Sequence, residues 1–389
     1  MDSNYVDKLT EDVNLISLAN GSISSLFQLS DQELAEIQFD MIRVSFIHHF
    51  KNNAFYRDLC QCRGFGIDDL KSLDDLVKIP LIPVSAYKGQ DSHRLLSIPI
   101  SQVEHEMRST GTSGVPSVSR RCSVTVDGGI QSVYGMYREF LKISKGAGLY
   151  LCPSTEEIPE MGMIKALNML AGLLDTHRFM VRNEKLVPEE ALAQMNNWSG
   201  FTRHIIGPPF LIYQFIAFLK ATGTRLKLDR DSLVITLGGW KRFTGQMISR
   251  VDFNDLCQEW LGVPKQNIRD IYALTESNLM AIEDEHGVKH ISPVTRISVR
   301  DMNDLDREVS PGEKGQLAIY DPTNLTVPGF LLTEDIVIED QKSPDDKRSG
   351  QRMRYIMRAP TSTEFGCCAV NLEKKMDSER ASKFATDAV

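Results

Sequence analysis

The chain has 389 residues, 42% of them apolar and 25% charged, with a net charge of -8. That length supports more than one hydrophobic core, and the acidic balance excludes a general nucleic-acid binder, whose phosphate contacts need a basic surface. No run approaches the ~18 consecutive apolar residues of a membrane-crossing helix, the first residues lack the marks of a secretory signal, and seven cysteines without framework spacing fit reduced thiols, so a cytoplasmic protein with no membrane partner is expected.

In chain order, "SDQELAEIQFDMIRVSFIHHF" opens with Ser30 and, three residues later, Glu33, a capping-box pattern. Ile37, Met41 and Val44 then fall at helical spacing. His48 and His49, near the helix end, read as packed residues with a favourable dipole contact rather than ligands. Cys60 and Cys62 lack the second pair that a zinc site needs. "KIPLIPVSAYK" holds two prolines and reads as an extended connector. "AGLYLCP", "SLVITLGG" and "GQLAIYD" read as short buried strands. "PEMGMIKALNMLAGLL" and "PPFLIYQFIAFLKATG" read as helices, the second ended by Gly223. Their apolar faces either line an acyl or aryl pocket or form plain core, and Met161, Met163 and Met169 read as core filler. Strands alternating with helices imply an α/β architecture. "EDQKSPDDKRSGQ" is charged and contains Pro and Gly. It reads as a linker or hinge over 341–350, dividing a large domain (1–340) from a short C-terminal segment (351–389).

The segment with the most chemistry is "RSTGTSGVPS", Arg108 to Ser117. Glycines let backbone N–H groups approach phosphate oxygens, and Ser/Thr hydroxyls add donors. Ser109, Thr110, Gly111, Thr112, Ser113 and Gly114 supply that set. The Walker pattern needs a Gly-Lys step that the chain lacks, and "KGAGLYL" has two of the three dinucleotide-fold glycines.

"STGTSGVPS" resembles the phosphate-binding loop of the adenylate-forming (ANL-like) superfamily, the acyl- and aryl-CoA synthetases and their relatives. Where that loop usually ends in lysine, this chain has Ser117, so the resemblance implies a phosphate contact supplied from elsewhere, by Arg120 or Arg121. Further segments follow in the order of the superfamily. "IYALTES" resembles its Y-G-x-T-E segment, with Ala273 at the glycine. The likeness implies that Tyr272 packs on adenine, Thr275 touches the α-phosphate or acyl carboxylate, and Glu276 binds Mg²⁺. "LGGWK" is similar to the glycine turn along adenine (Gly238, Gly239, Trp240). "LLTEDIV" resembles the segment whose acid, here Asp335, holds the ribose. "YIMRAP" places Arg358 at a ribose- or phosphate-binding arginine.

"FYRDLCQCRGF", "IPLIPVSAYK", "GPPFLIY", "LGGWKRFTG", "VPGFLLTED" and "EFGCCAVNLE" resemble one branch in particular. It comprises the acyl-protein synthetases (LuxE-type), with phenylacetate-CoA-ligase-like enzymes beyond them. The likeness implies a large domain of several sheets flanked by helices, with a truncated C-terminal region in which Lys374 and Lys375 align with no catalytic lysine. It also implies an acyl-accepting cysteine at Cys368, next to Cys367 where glycine is usual. The implied activity is that of an acid–thiol ligase. ATP and Mg²⁺ activate a fatty or aromatic acid as acyl-adenylate, and a thiol takes the acyl group: Cys368, CoA, or an acyl-carrier protein that a reductase partner would use. Two alternatives remain. One is an ATP-independent acyltransferase acting from acyl-CoA. The other is a non-catalytic nucleotide-binding subunit of a multienzyme complex.

Overall fold

The apolar runs expected as strands become the parallel half of one large sheet. The computed structural model describes residues 19, 21–88, 90–109, 117–238 and 248–359. Helices α1 (Ile23–Leu26), α2 (Asp31–Asn52) and α3 (Ala54–Cys62) come first, followed by the short strand β1 (Ile82–Pro83) and the hairpin β2 (His105–Arg108) and β3 (Val118–Arg121). Helix α4 (Ser123–Phe140) leads into β4 (Ala147–Tyr150), α5 (Gly162–Met169), β5 (Thr176–Phe179), a small hairpin of β6 (Val181–Arg182) and β7 (Lys185–Leu186), and α6 (Pro188–Asn197). Then come β8 (Arg203–Gly207), α7 (Pro209–Ala221), β9 (Val234–Leu237), α8 (Arg250–Leu261) and β10 (Ile268–Ala273). The remaining strands are β11 (Met280–Glu283), β12 (Lys289–Ile291), β13 (Arg296–Arg300), β14 (Lys314–Tyr320), β15 (Phe330–Asp340) and β16 (Arg352–Arg358).

The sheet runs β13-β14-β15-β16-β12-β11-β10-β9-β8-β4-β5, with β1 added along β15. From β10 to β5 the pairs are parallel. Strands β4, β8 and β9 are buried along their whole length, as expected for parallel strands covered on both faces. From β10 to β13 neighbouring strands are antiparallel. Two hydrophobic cores follow this division. One packs α5, α7 and α8 on the parallel half, and the other packs α3 and part of α2 on the antiparallel half.

The capping box forms as the sequence predicts. Ser30 Oγ accepts from Glu33 N, and the Glu33 carboxylate accepts from Ser30 N at 2.9 Å. His49 is fully buried between Ser97 Oγ and Asn324 O, a packing role. Helix α7 buries Phe210, Leu211, Ile212, Phe215, Ile216 and Leu219 in the first core, so core packing accounts for its apolar face.

Two expectations need correction. The helix anticipated from Pro159 begins only at Gly162, because Met161 is held in a parallel bridge to Arg108, and Arg108 N donates to Glu160 O at 3.1 Å. The supposed linker 341–350 joins two paired strands, β15 and β16, whose ladder closes at Asp340 opposite Arg352. It is also pinned to the helices. Ser349 N donates to Phe27 O at 2.9 Å, Arg348 Nε to Glu139 at 2.9 Å, and Lys342 Nζ meets Asp31 at 3.0 Å. Residues 351–358 therefore continue the same sheet as the larger part of the chain. A charged turn between strands and a charged linker have the same composition, and only the pairing separates them.

Gly329 marks a close backbone approach. A Cβ there would stand 2.0 Å from Asp321 O, while Asp321 N donates to Gly329 O at 2.9 Å. Gly329→Ala must push the end of β14 away from the start of β15. The expected loss is ~1–3 kcal/mol of stability, read as a lower urea midpoint at unchanged slope.

Candidate active site

Strand β10 is parallel to β9 on one side and antiparallel to β11 on the other. The direction of pairing changes here, and in open α/β sheets ligands bind outside the carboxyl ends of the parallel strands. The segment "LTES" leaves β10 at this end. Gly238 directly follows β9, one step beyond the Leu237–Ile271 pair, and so flanks Tyr272. Its φ of 86° lies in the left-handed region, which glycine adopts without steric cost.

Tyr272 projects from β10 and donates its hydroxyl to Asp335 Oδ2 of β15 at 2.6 Å. Burial, and then the Asp335 charge, hold its pKa well above the ordinary phenol value, so it remains a donor. Asp335 is paired across the ladder with Arg358. The Arg358 guanidinium is anchored on Glu334, Nε to Oε2 at 3.1 Å. Tyr272, Asp335 and Arg358 thus meet, although in the sheet order β11 and β12 stand between β10 and the β15–β16 pair.

Glu276 is part-buried. Burial raises its pKa above the ordinary carboxylate value. A hydrogen bond from Ser117 and the charge of Arg358 lower it in part, and Asp335 adds to the rise. Among the described residues Glu276 makes no ion pair, so its oxygens keep the capacity to bind a cation. Thr275 stands beside the start of α5, where a Cβ on Gly162 would lie 3.6 Å from its Oγ1.

The hydroxyl- and glycine-rich segment lies in the chain between β2 and β3. Its neck is closed by Ser109 N donating to Ser117 O and Ser117 N donating to Ser109 Oγ, both at 2.9 Å. Ser109 is buried and holds the loop shut at its base. Thr110, Gly111, Thr112, Ser113, Gly114, Gly239, Trp240 and Cys368, like Cys367, Lys374 and Lys375, lie outside the described residues.

The two arginines expected to replace the missing lysine are committed elsewhere. Arg120 pairs with Glu106 at 3.3 Å and donates to Ser92 Oγ at 2.9 Å. Arg121 is buried, donates to Thr275 O at 2.9 Å and also to Asn278 Oδ1, and so lies under the turn that carries Glu276. A third cation stands closer to Ser117. Lys88 forms an isolated antiparallel bridge with it. Residues directly opposite in such a bridge project to the same face, and the Ser117 hydroxyl reaches Glu276 on that face. Lys88 makes no ion pair among the described residues. The sequence shows it only as the last residue of "IPLIPVSAYK" and not as a partner of Ser117, because the pairing of 88 with 117 is purely tertiary.

Sequence reading also passed over Asp321, at the end of β14. It is fully buried, and it accepts from Ser277 Oγ at 2.8 Å, Asn278 N at 2.7 Å, Thr323 N at 3.0 Å and Thr323 Oγ1 at 2.6 Å. The string "DPTN" was a visible signal, an acid followed by turn residues that its carboxylate can fasten. Asp321 and Arg121 both hold the 275–278 turn, and the Asp321 charge favours the charged form of Arg121.

Among the described residues no helix is long and apolar enough to cross a membrane. A family described as acyl-protein synthetase, LuxE, matches residues 1–377. The long-chain-fatty-acid–luciferin-component ligase of Vibrio harveyi is 28% identical over 351 residues, spanning 87% of this chain and 88% of that protein. A phenylacetate-coenzyme A ligase of Aromatoleum evansii is 30% identical over 98 residues, 25% of this chain and 22% of its own. A solved 2-hydroxyisobutyryl-CoA ligase, in complex with 2-HIB-AMP and CoA, superposes with a TM-score of 0.66 at 14% identity. The match covers 86% of this chain and 70% of the ligase, a likeness of fold.

Proposed function

Because the chain belongs to the LuxE family of acyl-protein synthetases, we propose that it activates a long-chain fatty acid with ATP and passes the acyl group to a thiol. The observation that carries this reading is the meeting of Tyr272, Asp335, Arg358 and Glu276 beside the neck of the hydroxyl- and glycine-rich loop. A donor–acid pair suits ribose hydroxyls. A carboxylate with oxygens left over suits a divalent cation, since magnesium is held by one or two carboxylates together with phosphate oxygens. The fatty acid is chosen by the likeness to the Vibrio ligase.

The acid's carboxylate attacks the α-phosphorus, a P–O bond forms, and pyrophosphate leaves with the bond electrons. A thiolate then attacks the acyl carbonyl, and AMP leaves. Thr275 orients the reacting carboxylate, Tyr272 packs on the base and fixes the Asp335 carboxylate, Asp335 holds the ribose, and Arg358 balances phosphate charge. Glu276 would hold Mg²⁺, which supplies charge neutralisation for the departing pyrophosphate. Lys88 takes the place of the loop lysine that Ser117 replaces. The main contributions are positioning and charge stabilisation. Cys368 is the acceptor we favour, with a reductase partner receiving the acyl group from it.

ATP–pyrophosphate exchange across fatty acids of increasing length and a set of aromatic acids tests the reading. Exchange that peaks with long-chain acids supports it. Acyl transfer from acyl-CoA with no exchange for any acid would overturn it. Incubation with labelled acid and ATP, followed by intact mass, tests the acceptor: label retained by Cys368→Ser removes that cysteine from the route. Lys88→Met is expected to reduce exchange by ~10²-fold at unchanged melting temperature, with Lys88→Arg recovering part of the loss.

A further inference from the structure

Strands β15 and β16 pair Asp335 with Arg358, Ile336 with Met357, and then Val337 with Tyr355. The ladder skips Ile356, which is the extra residue of a β-bulge. In a regular strand, positions three apart point to opposite faces, and Tyr355 would face away from Arg358. The extra residue reverses that parity, and such bulges characteristically re-aim a side chain beside a site. Tyr355 therefore shares the face of Asp335 and Arg358. Its ring centroid lies 6.1 Å from that of Tyr272, with the planes 32° apart.

We propose that Tyr355 is a base-contacting residue of the nucleotide site and sets its affinity and base preference; this rests on the adenylation reading above. Core packing does not account for the residue, since Tyr355 is 40% exposed. Yet it stands against a part-buried tyrosine whose hydroxyl is fixed on Asp335 at 2.6 Å. A base stacked between two rings needs about 7 Å between them, two van der Waals separations. At 6.1 Å Tyr272 and Tyr355 leave no such gap, so they form one continuous shelf rather than a sandwich. Tyr272 is the inner part of the shelf and Tyr355 the outer part. A purine spans both rings more fully than a pyrimidine does, so the shelf favours purine nucleotides. Arg358, on the same face, lies at the shelf's edge, where a phosphate or ribose would follow the base.

The test uses the full-length protein with Mg²⁺, comparing wild type, Tyr355→Ala and Tyr355→Phe. Direct ATP and CTP binding is measured by calorimetry, and kcat and KM by pyrophosphate exchange. We expect Tyr355→Ala to weaken ATP binding and raise the KM for ATP by about tenfold or more, the effect of losing one base–aromatic contact, and to narrow the preference for ATP over CTP. The kcat and melting temperature should stay near wild type, and Tyr355→Phe, which keeps the ring, should bind ATP as wild type does. Wild-type ATP affinity in Tyr355→Ala overturns the proposal. So does a joint fall of kcat and melting temperature, which marks a packing role, or a wild type that binds no ATP. A wild type that binds ATP but shows no exchange with any acid overturns the adenylation reading instead, and leaves binding to decide Tyr355.

Discussion

Glu276→Gln is expected to lower ATP–pyrophosphate exchange by ~10²–10³-fold and, at neutral pH, to raise the melting temperature. The two effects have one cause. Burial holds the Glu276 carboxyl above its ordinary pKa, with the Ser117 hydrogen bond and Arg358 offsetting only part of the rise. The folded protein thus binds this proton more tightly than the unfolded chain does. The contribution to stability is fully present below the ordinary glutamate value of about 4.3, and it is lost as pH rises through the raised folded value. At neutral pH the ionised side chain opposes folding, and the amide removes that opposition. Cation binding needs the ionised form, so exchange should fall on the acid side at a pH above the usual carboxylate range. Saturating magnesium should shift that limb to lower pH. Thermal melts and pH–rate profiles of the two proteins check both statements. A Gln variant that melts below wild type at neutral pH would contradict the assignment of strain to this carboxylate.

The second large effect is expected at Asp321. Its carboxylate accepts four hydrogen bonds, from Ser277, Asn278 and Thr323, and neutralises part of the buried Arg121 charge. Asp321→Ala leaves those donors and a guanidinium without their anion. Leaving a buried donor unsatisfied costs ~1–3 kcal/mol, and several donors lose their acceptor together, so the urea midpoint should fall steeply. Exchange measured well below the new melting temperature should fall too, because Ser277 and Asn278 directly follow Glu276. Asp321→Asn keeps the volume but turns one acceptor into a donor facing donors, and should fall between Ala and wild type. An Ala variant that loses stability but keeps full exchange would mean that the 275–278 turn holds its shape without this anchor.

Much of this architecture is legible in the sequence. Ser30 and Glu33 announce the start of α2, and the runs in β4, β9 and β14 have the continuous apolar character of buried strands. "IYALTES" and "LLTEDIV" identify Tyr272, Glu276 and Asp335 as neighbours, and Tyr272 and Asp335 do meet, at 2.6 Å. What was not legible depends on register and pairing. Lys88 is brought to Ser117 by a bridge between segments 29 residues apart. Tyr355 faces the site only because Ile356 is skipped in the ladder, and no composition rule marks a bulge in "RMRYIMR". Arg120 and Arg121 are adjacent in sequence and equally basic. Alternation along β3 turns one toward Glu106 and the other under Thr275.

The ladder that aligns Asp335 with Arg358 has a consequence for what comes after it. Arg358 is the last residue of β16, and Cys368 follows it by ten positions. A chain of that length extends at most ~35 Å, so the thiol is leashed to the end of β16, beside the residues proposed to hold ribose and phosphate. An acyl group formed there would meet a tethered reactant whose local concentration is set by the leash and not by how much protein is present. Self-acylation should then be first order and unaffected by dilution, and lengthening the leash should slow it while pyrophosphate exchange continues unchanged.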